Sequence, residues 1–136
     1  MTDTKRLVWN CEHCKKPIAD DEGALIIRGR EMAKHEKAWA EHDRQQRAEL
    51  EATGIPRMVP VHELMALPSR VEWRGRHVGC GLNSIGDVYY DIPVGSLRTY
   101  FHVVDWTAHL MEKGWLESTD WQRVLRDVTA QMEARS

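Results

Sequence analysis

Three cysteines and a histidine stand in two short pairs, Cys11-x-x-Cys14 within WNCEHCKKPI and His77-x-x-Cys80 within RHVGCGL, which together use every cysteine of the chain. Two residues between ligands let one tight turn offer both side chains to a single ion. Structural zinc takes four such thiolate and imidazole donors in a tetrahedron. The spacing therefore predicts a Cys3His zinc site at Cys11, Cys14, His77 and Cys80. Because protein would fill all four positions, the expected ion is structural rather than catalytic. Gly81 follows the last ligand, where a metal-binding turn often needs a positive φ; Lys15 holds the matching place after the first pair. The long stretch between the pairs is affordable, since loop closure rises by only about 0.6 kcal/mol per doubling of length, against roughly 10–16 kcal/mol from a structural zinc.

A C-x-x-C pair also serves redox chemistry, but that motif opens a helix after a strand, whereas Pro17 and a further strand pattern follow here. An odd number of cysteines fits a disulfide framework poorly. The plainer alternative is three buried cysteines and an incidental histidine.

The elements that must position these ligands can be read from residue patterning. Residues 7–11, LVWNC, read as a short strand entering the first pair, and residues 23–29, GALIIRG, as its return strand in a hairpin. Residues 30–53 are rich in helix formers of alternating charge with few large apolar side chains, chiefly Met32, Trp39 and Leu50, which predicts a helix with a thin buried stripe ended by Gly54. Its pairs Lys37 with Glu41 and Asp43 with Arg47 are spaced for mutual support on a solvated face. Prolines 56, 60 and 68 limit the next segment to one short helix over residues 61–67.

RVEWRGRHV alternates, with Val71, Trp73, Gly75 and His77 on one face and Glu72, Arg74 and Arg76 on the other, so a half-buried strand brings His77 to the site. Another strand is expected over residues 87–94. A helix capped by Ser96 should follow, with Leu97, Tyr100 or Phe101, Val104, Ala108 and Met111 as its apolar stripe, stopped by Gly114. Thr119 and Gln122 suggest a capping box before a last helix whose stripe is Trp121, Val124, Leu125, Val128 and Met132, giving a C-terminal αα-hairpin. Of the six tryptophans, Trp9 and Trp73 are placed to shield the metal, and Trp39, on the sparse helix, to meet a partner.

At 136 residues and 42% hydrophobic content, a single zinc-stabilised domain is expected over residues 1–136. Within it lie a first knuckle hairpin (1–30), a helical insertion and connector (31–69), the second knuckle with its strands (70–95) and the helical hairpin (96–136). The fold class is α+β: a small antiparallel sheet with a zinc-ribbon or treble-clef-like site, a long charged helix inserted between the knuckles, and the helical hairpin. No apolar run approaches the roughly 20 residues of a membrane span, and no signal-peptide core opens the chain, so a cytoplasmic protein is expected.

Other groups invite chemistry. His102, Asp105 and His109 share one helix face and form a candidate second polar site for metal or acid–base work, against the plainer reading that they hydrogen-bond across the hairpin. Residues 1–30 and 70–86 carry nine Lys/Arg against six Asp/Glu, while residues 87–136 carry five against eight. Within the first group, Arg28, Arg30, Arg74 and Arg76, with Arg70, Lys15 and Lys16 nearby in sequence, form a candidate basic patch for nucleic acid. The final helices also admit a helix-turn-helix reading with Gln122, Arg123 and Arg126 toward DNA, though Asp127 and Glu133 on the same helix oppose it. HNH-type nucleases often carry paired knuckles too, but no Asp-His or His-His pair occurs from which to build their catalytic motif. No phosphate-binding, hydrolase or metalloprotease motif is present.

The pattern W-x-C-x-x-C-x-K-P-I, then W-x-x-x-H-x-x-C, then DWTAHLMEKGWLESTDW resembles a group of small uncharacterised zinc-knuckle proteins of actinobacterial bacteriophages. The likeness covers about half the chain, at its two ends. It implies a small protein made in the bacterial host cytoplasm and carries no activity with it. The reading is a non-catalytic binding or adaptor protein acting on a host or phage protein. DNA or RNA is the alternative partner, and an HNH-like nuclease comes third.

Overall fold

The computed structural model describes residues 6–134. Its sheet has three antiparallel strands in the order β2-β1-β3, from β1 (Gly23–Arg28), β2 (Arg74–His77) and β3 (Val88–Pro93). Four helices accompany it: α1 (Gly29–Thr53), α2 (Val61–Ala66), α3 (Tyr100–Leu110) and α4 (Trp121–Ala134). The architecture is α+β, as expected. Among the described residues no helix is long and apolar enough to cross a membrane.

The apolar run ALII puts β1 at the centre, buried on both faces, where Leu25 pairs with Gly75 and Ile92, and Ile26 with Arg74 and Asp91. Leu25, Ile27 and Ile92 join Val103, Leu110, Trp121, Val124 and Val128 of the C-terminal helices in the main core. Ala24 and Ile26 lie on the opposite face, where the register places them beside Arg74 and Arg76, whose aliphatic stems suit such cover. A bulge between Ile27 and Arg28 leaves Tyr89 unpaired in the ladder. Consecutive tyrosines 89 and 90 consequently both reach Trp115, which also meets Trp73 in an aromatic cluster completed by Trp121.

Several boundaries differ from the sequence reading. Residues 7–11 form no strand and no hairpin with β1. Instead the chain doubles back at once, Asn10 bridging to Pro17 and the amide of Ile18 donating to the Trp9 carbonyl at 2.8 Å. The first pair is thus its own tight hairpin, and β1 finds its neighbours in β2 and β3. α3 starts at Tyr100, capped by the Thr99 hydroxyl accepting from the His102 amide, while Ser96 belongs to a preceding 3-10 turn. That start fixes a different phase: Val103 and Leu110 are buried, and Tyr100, Phe101, Val104, Ala108 and Met111 face outward. With apolar residues on both the inner and the outer face, the helix offers periodicity two stripes to choose between.

The expected capping box is also absent. The Thr119 hydroxyl donates to the Leu116 carbonyl and accepts from the Trp73 indole. The stripe of α4 does face inward as expected, with Trp121, Val124 and Val128 buried.

Side chains of α4 and of Asp120 just before it bind the segments leading into β2 and the first knuckle. The Trp73 amide donates to Asp120 at 2.9 Å, and Arg123 donates to the Trp73 carbonyl at 2.8 Å. Farther along, the Gln131 amide pairs with both backbone groups of Val8. Arg123, which the helix-turn-helix reading turned toward DNA, is thus engaged with the Trp73 carbonyl, Asp120 and Asp127. Arg98, which sequence reasoning passed over, is nearly buried. Its guanidinium donates to the carbonyls of Leu7 and Ile18 and to the Asp20 carboxylate, while its own carbonyl accepts from the Leu7 amide.

α1 buries only Met32 and His35 and ends at Gly54 in the left-handed conformation, which glycine adopts without a Cβ penalty. On its solvated face Glu41 pairs with Arg44 three residues on, rather than with Lys37 four residues back as the spacing suggested. Trp39 does not stand free: its indole donates to the Pro68 carbonyl and its ring lies between His35 and His42, so it ties α1 to the returning connector.

Candidate metal centre

Each pair of ligands sits on a short turn. In the first, the Lys15 amide donates to the Cys11 carbonyl and the His13 amide approaches the Cys11 sulfur at 3.4 Å. In the second, a 3-10 turn over Val78–Cys80 closes with the Gly81 amide on the Val78 carbonyl. The residue after each pair is left-handed: Gly81 at φ 92 and Lys15 at φ 65. Lysine takes at a steric cost a conformation that glycine takes freely, so the two turns share this left-handed exit although they differ in sequence and in the hydrogen bond that closes them.

Close approach brings the turns together. The Glu12 amide donates to the Gly75 carbonyl at 2.8 Å, and a Cβ on Gly75 would lie 2.3 Å from the Asn10 carbonyl oxygen. Gly23 is as crowded, its notional Cβ lying 2.3 Å from the Arg76 oxygen and 2.8 Å from Ile18. Nothing in the sequence pattern marks these two glycines as contact points between the knuckles and the sheet.

The ligand atoms of Cys11, Cys14, His77 and Cys80 all lie within 4.8 Å of one another. His77 Nδ1 is 3.2 Å from Cys14 Sγ and 3.9 Å from Cys80 Sγ. These distances bracket the edge of about 3.6 Å that a tetrahedron with Zn–S near 2.3 Å and Zn–N near 2.05 Å would have. His77 Nε2 is 3.1 Å from the Pro17 carbonyl, which can only accept, so Nε2 carries a proton, and the neutral ring that a metal requires presents the Nδ1 lone pair to the sulfurs. Cys11 is 1% exposed, and the other three ligands are half-buried.

The titration of the thiols fits a site made for a cation. Burial works against a charge on Cys11, but the amides of Cys14, His77 and His13 and the His77 ring outweigh it and lower its pKa to about 6. Burial, with Cys14 and Cys11 beside it, pushes Cys80 up to about 11. Burial likewise opposes the charge on His77, yet Cys11, Cys14 and the Pro17 carbonyl together raise it. Cys11 and Cys80 are thus pushed in opposite directions, and a divalent cation between them would favour the thiolate of each. The group can therefore hold a metal ion. Trp9 and Trp73, expected as its shield, have other attachments: the Trp9 indole donates to the Leu97 carbonyl, and Trp73 lies in the aromatic cluster.

The remaining candidates fare differently. His102, Asp105 and His109 are exposed along α3, and His109 lies edge-on to Trp106. Among the described residues only the Cys3His group brings three or more such ligands together, so His102, Asp105 and His109 do not form a metal-type cluster of this kind. The basic patch is partly spent. Arg74 binds Glu31 at 2.8 Å and Glu12 at 3.4 Å, and Arg28 and Arg76 approach Glu12 at 3.5 and 3.9 Å. Glu12, between the two first-knuckle cysteines, thus links that turn to the sheet's arginine face, a role its sequence neighbourhood does not announce. No family model, curated protein or solved structure matches the chain.

Proposed function

We propose that this chain is a non-catalytic protein-binding adaptor whose fold is held by one structural zinc ion on Cys11, Cys14, His77 and Cys80. Three thiolates and one imidazole form a soft donor set that suits zinc over magnesium or calcium, and four protein donors leave no position open for substrate. In the setting that the resemblance implies, the partner is a host or phage protein.

The observation that carries the binding role is the outer face of α3. Tyr100, Phe101, Val104 and Met111 are 53, 76, 51 and 72% exposed, and with Ala108 they share one face of the helix. Scattered exposed apolar residues are ordinary, whereas a contiguous apolar face with a polar rim, here His102, Asp105 and His109, is characteristic of a protein interface. A groove on a partner that accepts an apolar helix face is the matching surface.

The double substitution F101E/V104E tests this. Both side chains lie outside the core, so metal content should hold and stability should change by no more than about 0.5 kcal/mol. A partner protein retained by the immobilised wild-type chain should be lost with the variant. Retention of the same partner at full strength by the folded variant would refute the α3 face as the binding surface.

A further inference from the structure

We infer that the concavity between the start of α1 and the second knuckle is a binding site for a phosphate group. Arg28, Arg30, Lys34 and Arg76 line it, together with Glu31, Asp87 and Ile85, around a volume of about 390 Å³. The two carboxylates there are already engaged. Glu31 takes Arg74 at 2.8 Å, and Asp87 accepts the backbone amide of Arg30 at 3.2 Å.

The cations are less satisfied. Arg30 and Lys34 make no side-chain ion pair or hydrogen bond among the described residues. Arg28 reaches Glu12 only at 3.5 Å, and its Nε is buried with no partner. Arg76 spends Nε on the Cys80 carbonyl, and its Nη1 lies 3.9 Å from Glu12. Four cationic heads around two occupied carboxylates leave an excess of positive charge with free guanidinium and ammonium donors. Phosphate oxygens match such donors, and guanidinium groups bind them in paired hydrogen bonds. The N-terminus of α1 opens on the same rim but adds no donor at Arg30, because Asp87 already holds that amide.

This site differs from the patch read in the sequence. Arg74 drops out, being held by Glu31 and Glu12, and Lys34 enters because one helical turn brings it over Arg30. It lies on other residues than the α3 face and stands or falls independently of it. The phosphate could belong to a nucleic-acid backbone or to a small phosphate compound, and the two sources are separable.

The experiment uses the full-length, zinc-loaded chain with two probes: labelled oligothymidylate followed by fluorescence anisotropy at two salt concentrations, and inorganic phosphate followed by amide NMR shifts. R30Q/K34Q removes two cations that hold no internal partner, so folding is unaffected. It should weaken oligothymidylate binding at least about tenfold and flatten the log–log salt slope by about 1.4, from two lost contacts at about 0.7 each. E31Q, which removes a like charge from the rim, should tighten binding by about two- to fivefold. R44Q, which removes one cation from the middle of α1, should leave binding as in wild type. Oligothymidylate binding with this pattern supports a nucleic-acid backbone as the source. Phosphate-induced shifts at Arg28, Arg30, Lys34 and Arg76 that R30Q/K34Q abolishes, without oligonucleotide binding, support a small phosphate compound. Binding of neither probe, or binding that R30Q/K34Q and R44Q affect equally, overturns the proposal.

Discussion

His77 and Pro17 lie 60 positions apart in sequence, and the imidazole Nε2 of one donates to the carbonyl of the other at 3.1 Å. This bond sets the tautomer that turns Nδ1 toward Cys14, and it does so from within the first knuckle itself. The second knuckle's ligand is therefore oriented by the first knuckle's backbone, and the site and the packing of the two turns form one unit. Outer hydrogen bonds of this kind raise ligand basicity and fix ring orientation.

Loss of one ligand should therefore undo more than a local contact. A structural zinc contributes roughly 10–16 kcal/mol, which equals or exceeds the whole net stability of about 5–15 kcal/mol of an ordinary domain. C80S should purify without stoichiometric metal and show no cooperative melting transition by circular dichroism. A variant that melts cooperatively at the wild-type temperature would count against a metal-dependent fold.

The knuckle-to-sheet approach makes a sharp contrast between glycines. At Gly75 a Cβ would meet the Asn10 backbone at 2.3 Å, whereas at Gly79 it would meet nothing within 4 Å. G75A should destabilise the chain by about 1–3 kcal/mol, the range for forced overpacking, and G79A by less than about 0.5 kcal/mol. Equal denaturation midpoints for the two variants would contradict the packing described.

Arg98 is a buried tie between the α3 approach and the N-terminal segment. R98A strands the carbonyls of Leu7 and Ile18 and the charge of Asp20, and should cost about 2–4 kcal/mol in chemical denaturation, since each buried acceptor left unpaired costs roughly 1–3 kcal/mol. A loss below the uncertainty of the measurement would show that water replaces the guanidinium freely.

The same tie predicts a pH dependence. Hydrogen bonds from Arg98 and then Arg6 hold the Asp20 carboxyl below its ordinary 3.8. A depressed folded pKa contributes stability that is complete above the unfolded value and is lost as pH falls through the folded one. Wild type should therefore exceed D20N in stability at neutral pH, and the difference should shrink as pH drops below about 4, the ordinary carboxylate value. A difference that stays constant down to the lowest pH at which the chain remains folded would exclude this source.

The ligand set was legible because C-x-x-C and H-x-x-C are local signals whose chemistry is carried by residue type. The α1 span with its glycine stop was legible from propensity, and the burial alternation from Val71 to Gly75 from period-two patterning, although only Arg74–His77 form the strand. Other features depend on partners distant in sequence. The Asn10–Pro17 doubling-back looked like a strand because Leu7, Val8 and Trp9 are β-formers, although their neighbours come from Arg98 and Gln131. The phase of α3 was hidden by apolar residues on both its inner and its outer face. Gly23 and Gly75 gave no signal because a close backbone approach leaves no mark beyond the glycine itself. Glu12 and Arg98 looked like ordinary surface charges until their partners were placed.

Cys11, Cys14, His77 and Cys80 are proposed to hold one zinc ion jointly. Zinc-edge X-ray absorption on the natively purified chain tests it most directly. The account predicts one zinc per chain with three sulfur neighbours at about 2.3 Å and one nitrogen at about 2.0–2.1 Å. A shell of oxygen and nitrogen only, or a folded chain that carries no zinc, would contradict it.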